Sequence, residues 1–171
     1  MRAIYQRRVT PKLSQSRFFI DSMLGTIAKK LRILGFDCKY SATIDDEDVL
    51  LVAKKENRVI ITKDRQLATN AKKHDIVAVE ISVHTEKDQM IQIAEKLSLG
   101  KYKLNADSAR CSVCNGDLHA IEKEKIIDKI PLKTAQNTEE FWICSDCKHI
   151  YWVGTHIRNL EKLVAEINER L

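Results

Sequence analysis

The chain has 171 residues, 44% hydrophobic and 31% charged, with five Gly and two Pro, which suits one α/β domain of about 100 residues plus a small appendage and excludes a disordered or fibrous polypeptide. No apolar run reaches the roughly 18 residues needed to span a bilayer, and the basic N-terminus leads into no signal-type apolar segment, so a cytoplasmic location is expected. The formal charge of +5 is concentrated in the first 20 residues, where Arg2, Arg7, Arg8, Lys12 and Arg17 stand with no acid among them and leave the rest of the chain neutral.

An arginine-bearing arm over residues 1–17 suits an extended contact with nucleic-acid phosphates. A solvated basic tail, or a basic edge strand at Ala3-Ile4-Tyr5, reads equally well from charge alone.

From residue 18 the hydrophobic pattern alternates between short apolar runs and helical spacing. Phe18-Phe19-Ile20 reads as a buried strand ending at Asp21. Over 22–34, Met23, Leu24, Ile27, Ala28, Leu31 and Leu34 share a helical face, which Gly35 closes. A short strand is expected at Asp37–Tyr40, and Cys38 within it reads as a small apolar core residue. A helix from Asp46 to Glu56 would bury Val49, Leu50, Val52 and Ala53. Strand Arg58–Thr62, helix 65–73, strand Ile76–Ile81 and helix 86–97 complete four βα units. Such a series predicts a four-stranded parallel sheet with helices on both faces, spanning 18–100.

Right-handed crossovers favour the strand order 2-1-3-4, which puts the carboxyl ends of strands one and three at the topological switch point. Asp21 and Asp64 sit at those ends, and Asp46 enters from the crossover above them, with Asp45 and Asp48 beside it. Three converging carboxylates repel one another unless a hard cation joins them. Mg²⁺ or Mn²⁺ fits such oxygen donors, and an ion of this kind supports in-line displacement at a phosphodiester. Each aspartate could instead be a helix N-cap.

The stretch 101–110 carries no clear period and reads as a linker. Beyond it, Cys111, Cys114, Cys144 and Cys147 form a CxxC…CxxC pair over 111–156. Two such knuckles point four thiolates at one tetrahedral ion, the donor set of structural Zn²⁺. Two disulfides would need an oxidising compartment that nothing signals, and an iron–sulfur cluster is the remaining alternative. The insert reads as a β-ribbon with strands at Leu118–Ile121, Lys125–Ile130, Glu140–Ile143 and Ile150–Val153. Phe141-Trp142 and Tyr151-Trp152, with Lys148, His149, His156 and Arg158, offer stacking surfaces and phosphate donors for single-stranded RNA, although a ribbon this small also needs aromatics for its own core. Ile157, Leu160, Leu163, Val164, Ile167 and Leu171 keep helical spacing over 157–171. That helix either docks on a neighbouring element or pairs with a partner chain, a second copy included.

Taken in order, these residues resemble a known family. Phe19-Ile20-Asp21-Ser22-Met23-Leu24-Gly25, Leu31-Arg32-Ile33-Leu34-Gly35-Phe36-Asp37, Asp45-Asp46-Glu47-Asp48 and Ile61-Thr62-Lys63-Asp64-Arg65 look like the Mut-seven C-terminal RNase domain, a branch of the PIN-like nucleases with an attached zinc ribbon. The ribbon is similar as well, in Arg110-Cys111-Ser112-Val113-Cys114-Asn115-Gly116, Glu140-Phe141-Trp142-Ile143-Cys144 and Tyr151-Trp152-Val153-Gly154-Thr155-His156. The resemblance spans about residues 18–160 and leaves out the arm. It implies a metal-dependent ribonuclease in which Asp21, Asp46 and Asp64 hold the catalytic ion and Thr62 orients the Asp64 carboxylate. Asp48 would be a secondary acid, and Asp45 is the rival of Asp46 for register. Fuller PIN domains bring a fourth acid that has no clear counterpart here. The alternative is a non-catalytic RNA- or ribosome-binding protein with a vestigial acidic site. A phospho-aspartate receiver would need a second acid after the first strand and a lysine on a fifth strand, and Ser22-Met23 follows Asp21 with no fifth strand in view.

Overall fold

The computed structural model describes residues 16–171. Apolar runs set between turns give β1 (Arg17–Ile20), β2 (Asp37–Tyr40), β3 (Val59–Thr62) and β4 (Ala78–Glu80). These pair in parallel in the order β2-β1-β3-β4, the order expected from right-handed crossovers. The crossovers are α1 (Gly25–Ile33), α2 (Asp46–Glu56) and α3 (Arg65–Lys73), and α4 (Glu86–Leu97) follows β4.

The two-residue period of β1 divides the core. Phe18 and Ile20 pack with Ile27, Leu31, Met90 and Ile93 on one face, while Phe19 joins Val49, Ala53, Leu67 and Ala71 on the other. Gly35 ends α1 at φ +93°, a left-handed conformation that glycine adopts without strain. The Phe36 amide then returns to the Leu31 carbonyl at 3.0 Å, as in a Schellman closure.

A second sheet contains β5 (Leu118–Ile121), β6 (Phe141–Cys144) and β7 (Ile150–Trp152), antiparallel in that order. Between β5 and β6 lies the short helix α5 (Leu132–Asn137), and the chain ends in α6 (Thr155–Asn168). Leu160, Val164 and Ile167 of α6 are buried in the core of the first sheet, each contributing about 1.5–3 kcal/mol by burial. The Asn168 side chain accepts from the Tyr102 amide and donates to the Tyr102 carbonyl, both at 2.9 Å. The C-terminal helix thus docks within its own chain.

Three expectations are corrected. Met23 is 68% exposed, because Ser22–Leu24 forms a tight 3-10 turn and α1 begins only at Gly25, which breaks the helical phase. Leu50 and Val52 are half-buried rather than core. Lys125–Ile130 is no strand. It forms two 3-10 turns around Ile126, whose four-residue spacing to Ile130 buries both residues against Phe141. Within the stretch 101–110, Tyr102 is buried and donates its hydroxyl to the Met90 carbonyl at 2.8 Å.

Candidate functional site

The neighbouring carboxyl ends of β1 and β3 create the acidic edge. The Asp21 amide extends the ladder by donating to the Ile61 carbonyl at 3.0 Å, so its side chain stands where pairing stops. Both of its carboxylate oxygens accept hydrogen bonds, Oδ2 from Thr62 Oγ1 at 2.8 Å and Oδ1 from Ser22 Oγ at 3.1 Å. The buried Thr62 hydroxyl also accepts from the Asp64 amide at 2.8 Å. Thr62 therefore orients Asp21 and not the Asp64 carboxylate. The hydroxyl at the end of β3 reaches across to β1, and the Asp64 carboxylate turns toward its own helix.

Two of the aspartates are N-caps and two are not. Asp64 Oδ1 accepts from the Gln66 and Leu67 amides at 2.6 and 3.0 Å, and Asp45 Oδ1 accepts from the Asp48 amide at 3.0 Å, each satisfying orphan donors of a first helical turn. Asp21 makes no cap bond. Asp46 is the first residue of α2, and partial burial, followed by the charges of Asp64, Asp21 and Asp45, raises its carboxyl above the usual value. The charges of Asp64 and Asp21 thus reach Asp46. The structure gives Asp45 to the helix cap and leaves Asp48 outside the charges acting on Asp46. Hard oxygen donors of this kind suit a divalent ion, but among the described residues the acids do not draw their ligand atoms together as the cysteines do.

Convergence is tighter at the cysteines. Among the described residues, Cys111, Cys114, Cys144 and Cys147 are the group whose ligand atoms all lie within 4.8 Å of one another. All four are free thiols, with Cys111 to Cys147 at 3.5 Å and Cys114 to Cys144 at 3.4 Å. A tetrahedron with Zn–S bonds of about 2.3 Å has edges of about 3.8 Å, so the four sulfurs fit this ion with a small expansion. The two knuckles repeat one construction. The Asn115 amide returns to the Cys111 carbonyl and the Cys111 amide to Gly116, while Lys148 returns to Cys144 and Cys144 to His149. Asn115 and Lys148 take φ of +72° and +62°. A side chain at Gly116 would meet Asp146 Oδ2 at 2.3 Å. Burial raises the Cys111 thiol, but bonds from the Tyr151 hydroxyl and from the backbone at Cys114 and Val113 prevail and bring it to about 7.

The first knuckle is fastened to the parallel sheet by residues that spacing did not single out. Arg32, buried in α1, donates to the carbonyls of Cys38, Ser112 and Val113 at 2.9, 2.9 and 3.1 Å. Asn115 accepts from the Cys38 amide at 2.9 Å and donates to Asp37 Oδ1 at 2.8 Å. The sequence signal for Arg32 is a lone cation inside the apolar run Leu31–Leu34.

Of the basic residues, Arg2, Arg7, Arg8 and Lys12 lie outside the described residues. Arg17 begins β1, at the end of the sheet away from Asp21, and pairs with Asp37 at 3.0 Å. His156 and Arg158 are exposed in the first turn of α6, and Trp142, Tyr151 and Trp152 are half-buried.

A family model described as the Mut7-C RNAse domain matches residues 16–164. No curated protein and no solved structure matches the chain.

Proposed function

This chain belongs to the Mut7-C RNase domain family, and on that premise we propose that it hydrolyses RNA phosphodiester bonds at Asp21, Asp46 and Asp64 with Mg²⁺ or Mn²⁺. The observation that carries this reading is the pairing of β1 with β3, which sets Asp21 and Asp64 at neighbouring strand ends with the Thr62 hydroxyl bonded to both residues, close enough for their charges to raise the Asp46 carboxyl. A hard divalent ion held there would supply charge neutralisation and activation of water for in-line attack on a phosphodiester. Thr62, by donating to Asp21, keeps that carboxylate fixed before any substrate arrives. The Asp64 cap bonds use Oδ1 alone, so Oδ2 is the oxygen that would serve a metal ion. Asp45 positions the start of α2 and thereby Asp46.

The four cysteines would hold a structural Zn²⁺, since a closed four-thiolate set leaves no open coordination position. The organisation that follows is a basic arm at 1–17, a nuclease domain at 18–100, a connecting segment at 101–110, a zinc ribbon at 111–156 and the closing helix. Asp21→Asn, Asp46→Asn and Asp64→Asn should each abolish Mn²⁺-dependent cleavage of a generic single-stranded RNA while the zinc content stays at one ion per chain. Full cleavage by all three variants would remove the aspartates from the reaction, and RNA binding through the arm, His156 and Arg158 with no cleavage by the unaltered protein in Mg²⁺ or Mn²⁺ would assign it to non-catalytic RNA binding.

A further inference from the structure

An aromatic trough runs along the seam between the ribbon and the parallel-sheet body. Trp142, Tyr151 and Trp152 form its ribbon side, and Ile33, Ala106 and Ile157 lie opposite. It continues past Tyr151 and Trp152 to His149 and His156 and the first turn of α6. None of the residues lining either part is acidic. Trp142 and Tyr151 are directly opposed across β6 and β7, so both rings project from the same face of the sheet.

Tyr151 is fixed in this position. Its hydroxyl lies 3.1 Å from Cys111 Sγ and 3.1 Å from Ser112 Oγ, and accepts from the Ser112 amide at 3.0 Å. Its ring meets His149 edge-on at 4.9 Å. A half-exposed aromatic held at its polar tip loses little freedom when a planar ligand lies against it, which favours binding by preorganisation. Flat apolar walls, the imidazoles of His149 and His156 at one end and no acid among the lining residues match an unpaired nucleobase with its phosphate.

We propose that this trough takes a base of single-stranded RNA by stacking, remote from the acidic edge. The proposal rests on the ribonuclease reading for its choice of ligand. α1 separates the two places, since it begins at Gly25 beside Asp21 and ends at Ile33 in the trough, a rise of about 12 Å. RNA would therefore engage the trough with nucleotides distant from the bond that is cleaved. Because Cys111 holds Tyr151, the trough should also depend on the metal in the knuckles.

Trp142 and Trp152 are the two tryptophans of the chain, and both border the trough, so intrinsic fluorescence responds to its occupation. Zinc-loaded protein titrated with oligouridylate, with Mg²⁺ and Mn²⁺ omitted, should show saturable quenching. An abasic oligomer of the same length and inorganic phosphate should produce none. Trp142→Ala should weaken oligouridylate binding roughly five- to 150-fold, the range for one base stacked on an aromatic. Ala106→Phe, an exposed position that would fill the trough, should weaken binding without disturbing the knuckles. With Mn²⁺ restored, both variants should raise KM for oligouridylate and leave kcat and dinucleotide cleavage unchanged. Cleavage of oligouridylate with no quenching, or equal quenching by the abasic oligomer, overturns the trough and leaves the ribonuclease reading standing. Quenching without cleavage in any metal removes the ribonuclease reading and keeps the trough. Emission that depends on protein concentration in the absence of RNA would give the trough to a second copy and overturn the proposal.

Discussion

At Asp46 the charge of its neighbours works against folding. A carboxyl raised in the folded state opposes stability wherever the unfolded chain holds it ionised. Asp46→Asn should therefore raise the metal-free melting temperature at neutral pH while removing activity. Asp64 behaves differently, since Asp64→Asn keeps the cap and Asp64→Ala should cost about 1 kcal/mol, read by denaturant unfolding without metal. Thr62→Val removes both the donor to Asp21 and the acceptor of the Asp64 amide, and a buried donor left unpaired costs about 1–3 kcal/mol. The aspartates were legible in the sequence because strand ends are marked by the runs that precede them. The Thr62 to Asp21 bond was not, because it joins residues 41 apart and depends on which strands are neighbours. Asp46 was preferred to its rival Asp45 from the sequence, and Asp45 is engaged by the cap bond to the Asp48 amide.

Among the elements, β2 is an edge strand with partners on both sides. Burial raises the Asp37 carboxyl, but bonds from Arg58, Arg17 and Asn115 outweigh it and hold it well below the usual carboxylate range. Arg58 is buried and also donates to Glu56 and the Phe18 carbonyl. A depressed carboxyl stabilises the fold fully above its unfolded value and loses that contribution as pH falls below it. Melting temperature should accordingly drop below pH of about 4. Asp37→Asn should cost roughly 3 kcal/mol at neutral pH and flatten that acid limb. On its other side, β2 takes the Asn115 bond from the first knuckle. Removing zinc should therefore speed hydrogen exchange at residues 37–40 as well as in the ribbon. Unchanged exchange there would mean the Arg32 and Asn115 contacts survive without metal. Strand positions were readable from apolar runs to within one or two residues, as Ala78–Glu80 against the expected Ile76–Ile81 shows, whereas Lys125–Ile130 was misleading, because Ile126 and Ile130 can be buried by two turns as readily as by a strand.

Across the whole molecule, the ribbon is enclosed by its own chain. α6 returns to the first core through Leu160, Val164 and Ile167, with Lys87 to Glu166 at 2.8 Å and Arg170 to Asp88 at 2.9 Å outside it. Truncation after Gly154 should destabilise the parallel sheet as well as the ribbon, and the zinc-loaded protein should melt in one calorimetric transition. Two separate transitions would contradict this coupling. The helical period of α6 was visible in the sequence, but its docking partner was not, since periodicity says that a face is buried and not against what. The arm adds a test of charge at this scale. Deleting residues 1–15 removes Arg2, Arg7, Arg8 and Lys12 and, if all four neutralise phosphates, should flatten the salt dependence of RNA binding by about 3 in log–log slope.

The return of α6 also bears on how the chain is made. The last strand of the parallel sheet ends at Glu80, yet the core it belongs to closes only when Ile167 arrives. At a synthesis rate of 5–20 residues per second that interval is about 4–17 s. Throughout it the nascent chain exposes the apolar surface that α6 later covers, and in its early part Arg32 also waits for the carbonyls of Ser112 and Val113. The protein is thus vulnerable to aggregation and to chaperone capture while still on the ribosome, after its sheet is complete and before its final helix can reach it.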